Sequence, residues 1–176
     1  MSGLSRAFAL FYYGVSLMAA AKTNAMRILD AKKVKYDVMA YDNKDGKIDG
    51  VSVAEKVGKD PVQVYKTLVA QGSSKGIFVF VIPVAAELDL KKAAKVSGEK
   101  KIEMIPVKDI QKWTGYIRGG CSPVGMKKEF PTFLDASVEN LESIVVSGGK
   151  IGIQIELAVG TFVDVVKANM EDLIKD

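Results

Sequence analysis

Hydrophobic and polar positions along this chain switch repeatedly between helical and extended spacing. Ala25, Ile28 and Leu29 fall on one helical face after Thr23, a good N-cap residue, which predicts a helix through Lys33. Residues 36–41 read as a strand and residues 42–50, polar and glycine-bearing, as a loop. Ser52 followed by Glu55 has the spacing of a capping box and predicts a short helix that Gly58 ends. Asp60-Pro61 starts a further helical turn. Residues 67–70 and 77–82 predict two strands joined as a hairpin through Gly72-Ser73-Ser74. Ile77-Phe78-Val79-Phe80-Val81-Ile82 is apolar at every position, so that strand is expected at the centre of a sheet.

Asp89 predicts the cap of a helix that runs to about Val96 and stops at Gly98. Residues 102–105 predict a short strand, and Pro106 opens a helix through Trp113. Residues 132–135, 144–147 and 151–156 predict three more strands, and Thr161 caps a last helix. The elements alternate without the regular spacing of a doubly wound sheet. They predict an α+β fold with a mixed, barrel-like β-sheet flanked by helices. A chain of 176 residues, 48% hydrophobic and 26% charged, suffices for one domain with a full core.

Residues 7–21 stand apart. They are almost wholly apolar and follow Arg6, yet are shorter than the roughly 20 residues a membrane span needs. Three readings remain: a signal-peptide core, a stretch upstream of a true start at Met18, or an added helix packing on the domain or on a second copy. The chain divides into an N-terminal extension, 1–21, and a functional domain, 22–176.

Composition narrows the chemistry. The chain has no histidine and one cysteine, Cys121. Ser-His-Asp and Cys-His catalysis are excluded, a zinc site within one chain is not expected, and no intramolecular disulfide can form. A single cysteine favours a reducing, cytoplasmic setting. No cofactor and no metal are expected, and no membrane association. The net charge of +4 divides into about +3 for residues 1–90, +7 for 91–128 and −6 for 129–176. The basic middle is either a phosphate-attracting surface or a solvated lysine face.

Carboxylates, lysines, hydroxyls and backbone groups must therefore carry any reaction. Lys66 lies among apolar neighbours in Val64-Tyr65-Lys66-Thr67-Leu68, ahead of the predicted strand. It is either a snorkelling lysine or an inward-facing cation. Gly115-Tyr116-Ile117-Arg118-Gly119-Gly120-Cys121-Ser122-Pro123-Val124-Gly125 is either a tight structural loop or a run of amides able to hold an oxyanion. Ser147-Gly148-Gly149-Lys150 is either a hairpin turn or a second backbone wall of the same pocket. Cys121 lacks a histidine to activate it and is not expected to act as a nucleophile.

Five segments in one order carry a resemblance. They are Asp60-Pro61-Val62-Gln63-Val64-Tyr65-Lys66-Thr67-Leu68, Pro83-Val84-Ala85 with Leu88-Asp89-Leu90-Lys91-Lys92, Thr114-Gly115-Tyr116, Gly119-Gly120-Cys121-Ser122-Pro123-Val124-Gly125 and Ser147-Gly148-Gly149-Lys150. Together they resemble the YbaK/EbsC family, free-standing relatives of the prolyl-tRNA synthetase editing domain. The resemblance implies removal of cysteine from mischarged Cys-tRNA(Pro), acting in trans beside prolyl-tRNA synthetase on the tRNA acceptor end. It implies Lys66, Gly119 and Gly120 as catalytic, and Tyr41, Thr67, Ser122, Pro123, Gly125, Ser147, Gly148 and Gly149 as substrate-binding. Gln154 stands where some members have aspartate, and an aromatic that some carry has no counterpart in residues 47–52. Two other activities stay open: deacylation of another small amino acid, and a tRNA- or synthetase-binding module without turnover. A homo-oligomer is compatible with the sequence.

Overall fold

The computed structural model describes residues 22–176; the readings of residues 1–21 lie outside the described residues. Thr23 caps helix α1 (Asn24–Ala31), its Oγ1 accepting a hydrogen bond from the Met26 amide at 3.2 Å, and Ala25, Met26 and Leu29 are buried. Strand β1 (Asp37–Ala40) follows. Helix α2 (Gly50–Lys56) begins earlier than the sequence suggests. Asp49, not Ser52, is its cap: the Asp49 carboxylate accepts from the Ser52 amide at 3.0 Å and from the Ser52 hydroxyl at 2.7 Å. A carboxylate is favoured over a hydroxyl beside the positive end of a helix, and this one lies within reach.

Asp60 caps a 3₁₀ turn (Pro61–Gln63), and the chain passes directly into β2 (Tyr65–Gly72). Lys66 therefore lies inside the strand rather than ahead of it. β2 and β3 (Ile77–Pro83) form the expected hairpin. Asp89 caps α3 (Leu90–Ser97), which Gly98 ends in the left-handed conformation. After β4 (Ile102–Met104), the helix expected from Pro106 is split into a 3₁₀ turn (Val107–Asp109) and α4 (Ile110–Thr114). The remaining elements are β5 (Thr132–Asp135), a 3₁₀ helix (Ala136–Asn140), β6 (Ser143–Lys150), β7 (Ile153–Ala158), α5 (Val159–Val166) and β8 (Asn169–Glu171).

Two expectations in this half are corrected. Ser147-Gly148-Gly149-Lys150 is not the hairpin turn: β6 runs through it with a bulge between Ser147 and Lys150, and the chain reverses at Ile151-Gly152. Thr161 is not a cap, because α5 starts straight from β7 and the Val159 amide donates to the Glu142 carbonyl.

The strands form two sheets, β1-β7-β6 and β4-β2-β3-β5-β8. The first is antiparallel, whereas β3–β5 and β5–β8 are parallel. The mixed sheet expected from the sequence is thus present in two parts, which meet where Val64 bridges Val145. β3 is central, and its residues alternate between two cores. Val79 and Val81 pack with Ala25, Leu29, Ile155 and Phe162, while Phe80 and Ile82 pack with Leu88, Ala93, Phe133 and Leu173.

Register assigns the faces of the small sheet. Ile144, Val146, Ile155 and Leu157 face the larger core. Strand alternation then turns Met39, Gln154 and Ser147, mutually opposed across β1, β7 and β6, to the other face. β4 pairs only with Ala70, Gln71 and Gly72, so the first residues of β2 have β3 on one side and, among the described residues, no strand pair on the other. The cleft opens at that edge.

Candidate active site

The cleft holds about 130 Å³. That is below the usual range for drug-sized ligands, roughly 300–1,000 Å³, and suits a small cargo. β2 contributes Tyr65, Lys66 and Thr67; the small sheet contributes Ser147 and Gln154; Tyr41 follows β1 directly. Ile48, Val53, Val64 and Val84 make an apolar wall, and Gly119 and Cys121 bring the glycine loop to the rim.

Besides Gln154, three polar groups in this cleft lack partners among the described residues. The Tyr41 hydroxyl and Thr67 Oγ1 are both buried and neither has a hydrogen-bond partner among the described residues. Such groups cost roughly 1–3 kcal/mol each when left unsatisfied. Lys66 is partly buried and forms no ion pair among the described residues. Burial pushes its ammonium below the ordinary lysine value, and the field of Glu87 opposes that shift only in part. Glu87 is itself held by Lys175 at 2.8 Å.

The glycine loop closes on the cleft by backbone contact. Gly119 has φ +83°, a conformation in which any L side chain is strained, and a Cβ there would sit 2.9 Å from Ile48 Cδ1. A Cβ on Gly120 would lie 2.9 Å from the Ile151 nitrogen and 3.0 Å from Lys150 backbone atoms. The loop is thereby pressed against the β6–β7 turn. Its Gly120 amide already donates to the Ile117 carbonyl at 3.0 Å, and the Val124 amide to Ser122 Oγ at 3.2 Å. Gly119 and Cys121 are the loop residues that border the cleft.

The structure therefore gathers Lys66, Tyr41, Thr67, Ser147 and Gly119 in one place and sets the other sequence-derived candidates around it. Gly120 braces the loop from behind. Ser122 is fully buried and Gly148 packs on Ile153. Gly149 abuts the Tyr116 ring, whose hydroxyl donates to the Val124 carbonyl at 2.7 Å, so Tyr116 ties both glycine segments together. Pro123 and Gly125 border a different cavity, of about 490 Å³, between α1, the 123–132 loop and α5.

Cys121 borders the cleft as an inert thiol. Burial pushes it up to about 11, with a weak contact from Sγ to Thr114 Oγ1 at 3.9 Å. The apolar wall has almost no signature in local sequence, since Ile48 sits in a polar loop. The one local signal is Gly50, which lets α2 begin directly against Val84.

A fold of two joined sheets with a lysine-bearing cleft closed by a glycine loop defines the class of protein. Residues 49–164 match the aminoacyl-tRNA editing domain family. The chain is 50% identical over 137 residues to the putative Cys-tRNA(Pro)/Cys-tRNA(Cys) deacylase EbsC of Enterococcus faecalis, covering 78% of this chain and 84% of that protein. It is 24% identical over 121 residues to the uncharacterized protein YwhH of Bacillus subtilis, covering 69% and 75%. A crystal structure of a putative trans-editing enzyme for prolyl tRNA synthetase superposes with a TM-score of 0.77 at 22% identity, covering 89% of this chain and all of that one. The chain belongs to the aminoacyl-tRNA editing domain family, in its YbaK/EbsC group.

Proposed function

We propose that this protein is a trans-editing deacylase that releases cysteine from mischarged Cys-tRNA(Pro), and from Cys-tRNA(Cys), in the cytoplasm. The observation that carries the reading is the convergence of Lys66 with the unpartnered Tyr41 and Thr67 hydroxyls on a cleft sized for a small aminoacyl group. The 50% identity to EbsC over most of both chains supports the same substrate.

The cargo supplies the nucleophile. A cysteine thiol titrates near about 8.5, so an appreciable thiolate fraction exists near neutrality. The sulfur attacks the carbonyl carbon of its own ester; a C–S bond forms and the C–O bond to the terminal ribose breaks. The ribose oxygen takes up a proton, and the product is a small cyclic thioester that water then opens. The protein's task is to fold the ester into this geometry, which contributes roughly 7–11 kcal/mol in favourable cases. The Gly119 and Cys121 amides at the rim are assigned to the oxyanion, at about 3 kcal/mol for one such donor. Lys66, desolvated by its surroundings, is assigned to the terminal ribose–phosphate. The synthetase supplies tRNA selectivity.

The test is a panel of aminoacyl-tRNAs with and without prolyl-tRNA synthetase. Cys-tRNA(Pro) is released rapidly and Ala-tRNA(Pro) slowly, because alanine has no thiol; rapid alanine release overturns the thiol route. Lys66→Ala lowers deacylation by at least about 100-fold, the scale of removing one transition-state contact, with an unchanged melting temperature. Unchanged turnover in that variant removes Lys66 from the site.

A further inference from the structure

Gln154 is 6% exposed and lies on the floor of the cleft. Its position is fixed by register: Ser147 of β6 stands opposite it on one side and Met39 of β1 on the other. Its side-chain amide makes no hydrogen bond among the described residues, although a buried amide offers two donors and two acceptor lone pairs. It lies in the same cleft as two buried hydroxyls that also lack partners. Four groups therefore await a ligand: three neutral polar side chains and Lys66. Among the described residues, Lys66 is the sole charged side chain lining the cleft, and no carboxylate lines it.

We infer that Gln154 reads the α-amino group of the bound aminoacyl ester by a hydrogen bond from that amine to its amide oxygen, with no counter-charge. The inference rests on the deacylase reading. The neutral lining beside Lys66 sets its character. An ammonium entering a cleft whose one charge is a lysine meets repulsion and finds no anion. The amine is therefore recognised as a hydrogen-bond donor, and discrimination by it is modest. Specificity falls instead on the thiol, which the reaction needs, and on the size of the apolar wall.

The experiment compares tRNA(Pro) esterified with cysteine or with 3-mercaptopropionate, the same thiol acid without the amine, at pH 7. The wild type prefers the cysteinyl ester by about three- to tenfold, the worth of one neutral hydrogen bond. Gln154→Ala loses that factor on the cysteinyl ester and keeps its rate on the deamino ester, so the preference collapses towards one. Gln154→Glu, of the same shape, raises the preference by a further tenfold or more, because a charge-assisted contact replaces a neutral one. Equal reductions on both esters in Gln154→Ala, or an unchanged preference in Gln154→Glu, overturn the assignment. Failure of the wild type to cleave either ester overturns the deacylase reading instead, so the two failures are distinguishable.

Discussion

At the scale of single residues, the cleft retains unsatisfied groups that a purely structural interior would have eliminated. The Tyr41 ring is anchored by its strand end, where its amide donates to the Gly152 carbonyl at 2.9 Å, while its hydroxyl is buried without a partner among the described residues. Removing that hydroxyl removes a cost rather than a bond. Tyr41→Phe therefore holds or raises stability, by up to about 1–3 kcal/mol, and lowers kcat/KM on Cys-tRNA(Pro). A lower melting temperature with full activity would place the hydroxyl outside substrate recognition. Cys121 shows the opposite logic. Its thiol, pushed up to about 11 by burial, binds its proton more tightly than an exposed cysteine thiol does. Its thiolate at pH 8 is about 100-fold scarcer than that of an unperturbed cysteine, and iodoacetamide alkylation of the folded protein is slower by about that factor or more. The raised value also stabilises the fold below about pH 9, and that stabilisation is lost as pH rises through 9 towards 11. Rapid alkylation at pH 8 would show that the loop opens.

At the scale of elements, the glycine loop and the β6–β7 turn act as one piece. Gly120→Ala places a methyl 2.9 Å from the Ile151 nitrogen, against backbone that cannot rotate away. It costs about 1–3 kcal/mol, the range for overpacking, and moves Gly119 off the rim, so melting temperature and kcat fall together. A neutral Gly120→Ala would mean that the two segments are not coupled. The same approach of loop to turn marks the limit of what a sequence can disclose. Strand β3, helix α3 with Asp89 and Gly98, and the β2–β3 hairpin follow from local pattern, because their signals are continuous runs, caps and turns. Lys66, Thr67, Ser147 and Gly119, which border one cleft, lie within the five ordered motifs, whereas Tyr41 lies outside them and is reached only through the family resemblance. Which glycines face the cleft is not legible, since that depends on the approach of residues 119–120 to 150–151, distant in sequence. The bulge in β6 is hidden for the same reason: two glycines resemble a turn until tertiary contact with Tyr116 and Ile153 holds them in a strand. β8 is invisible to pattern because its three exposed residues carry no apolar alternation and are fixed only by pairing with β5.

At the scale of the whole molecule, the basic stretch 91–128 does not stand as one block. Lys92 is tied to Asp172 at 3.0 Å and to Asp176 at 3.3 Å, and Lys101 to Glu103 at 2.7 Å. Part of the charge asymmetry along the sequence is thus neutralised within the fold, where the acidic C-terminal tail meets the start of α3. Among the basic residues of this stretch without an ion pair among the described residues, Arg118 is exposed and immediately precedes Gly119, which borders the cleft. On the deacylase reading proposed above, we expect the last phosphates of the tRNA 3′ end to pass over this rim. Phosphate binding of that kind releases counterions, and log(kcat/KM) falls with log[salt] at about 0.7 per phosphate on single strands. Arg118→Glu flattens that slope by about 0.7 or more for each phosphate no longer held. It lowers kcat/KM at low salt, while cleavage of a cysteinyl ester of adenosine, which has no upstream phosphate, is unchanged. An equal reduction on the minimal ester would place Arg118 in the support of the glycine loop instead. A wild-type rate on tRNA that is insensitive to salt would mean that the nucleic acid is held through the ribose and the cargo alone.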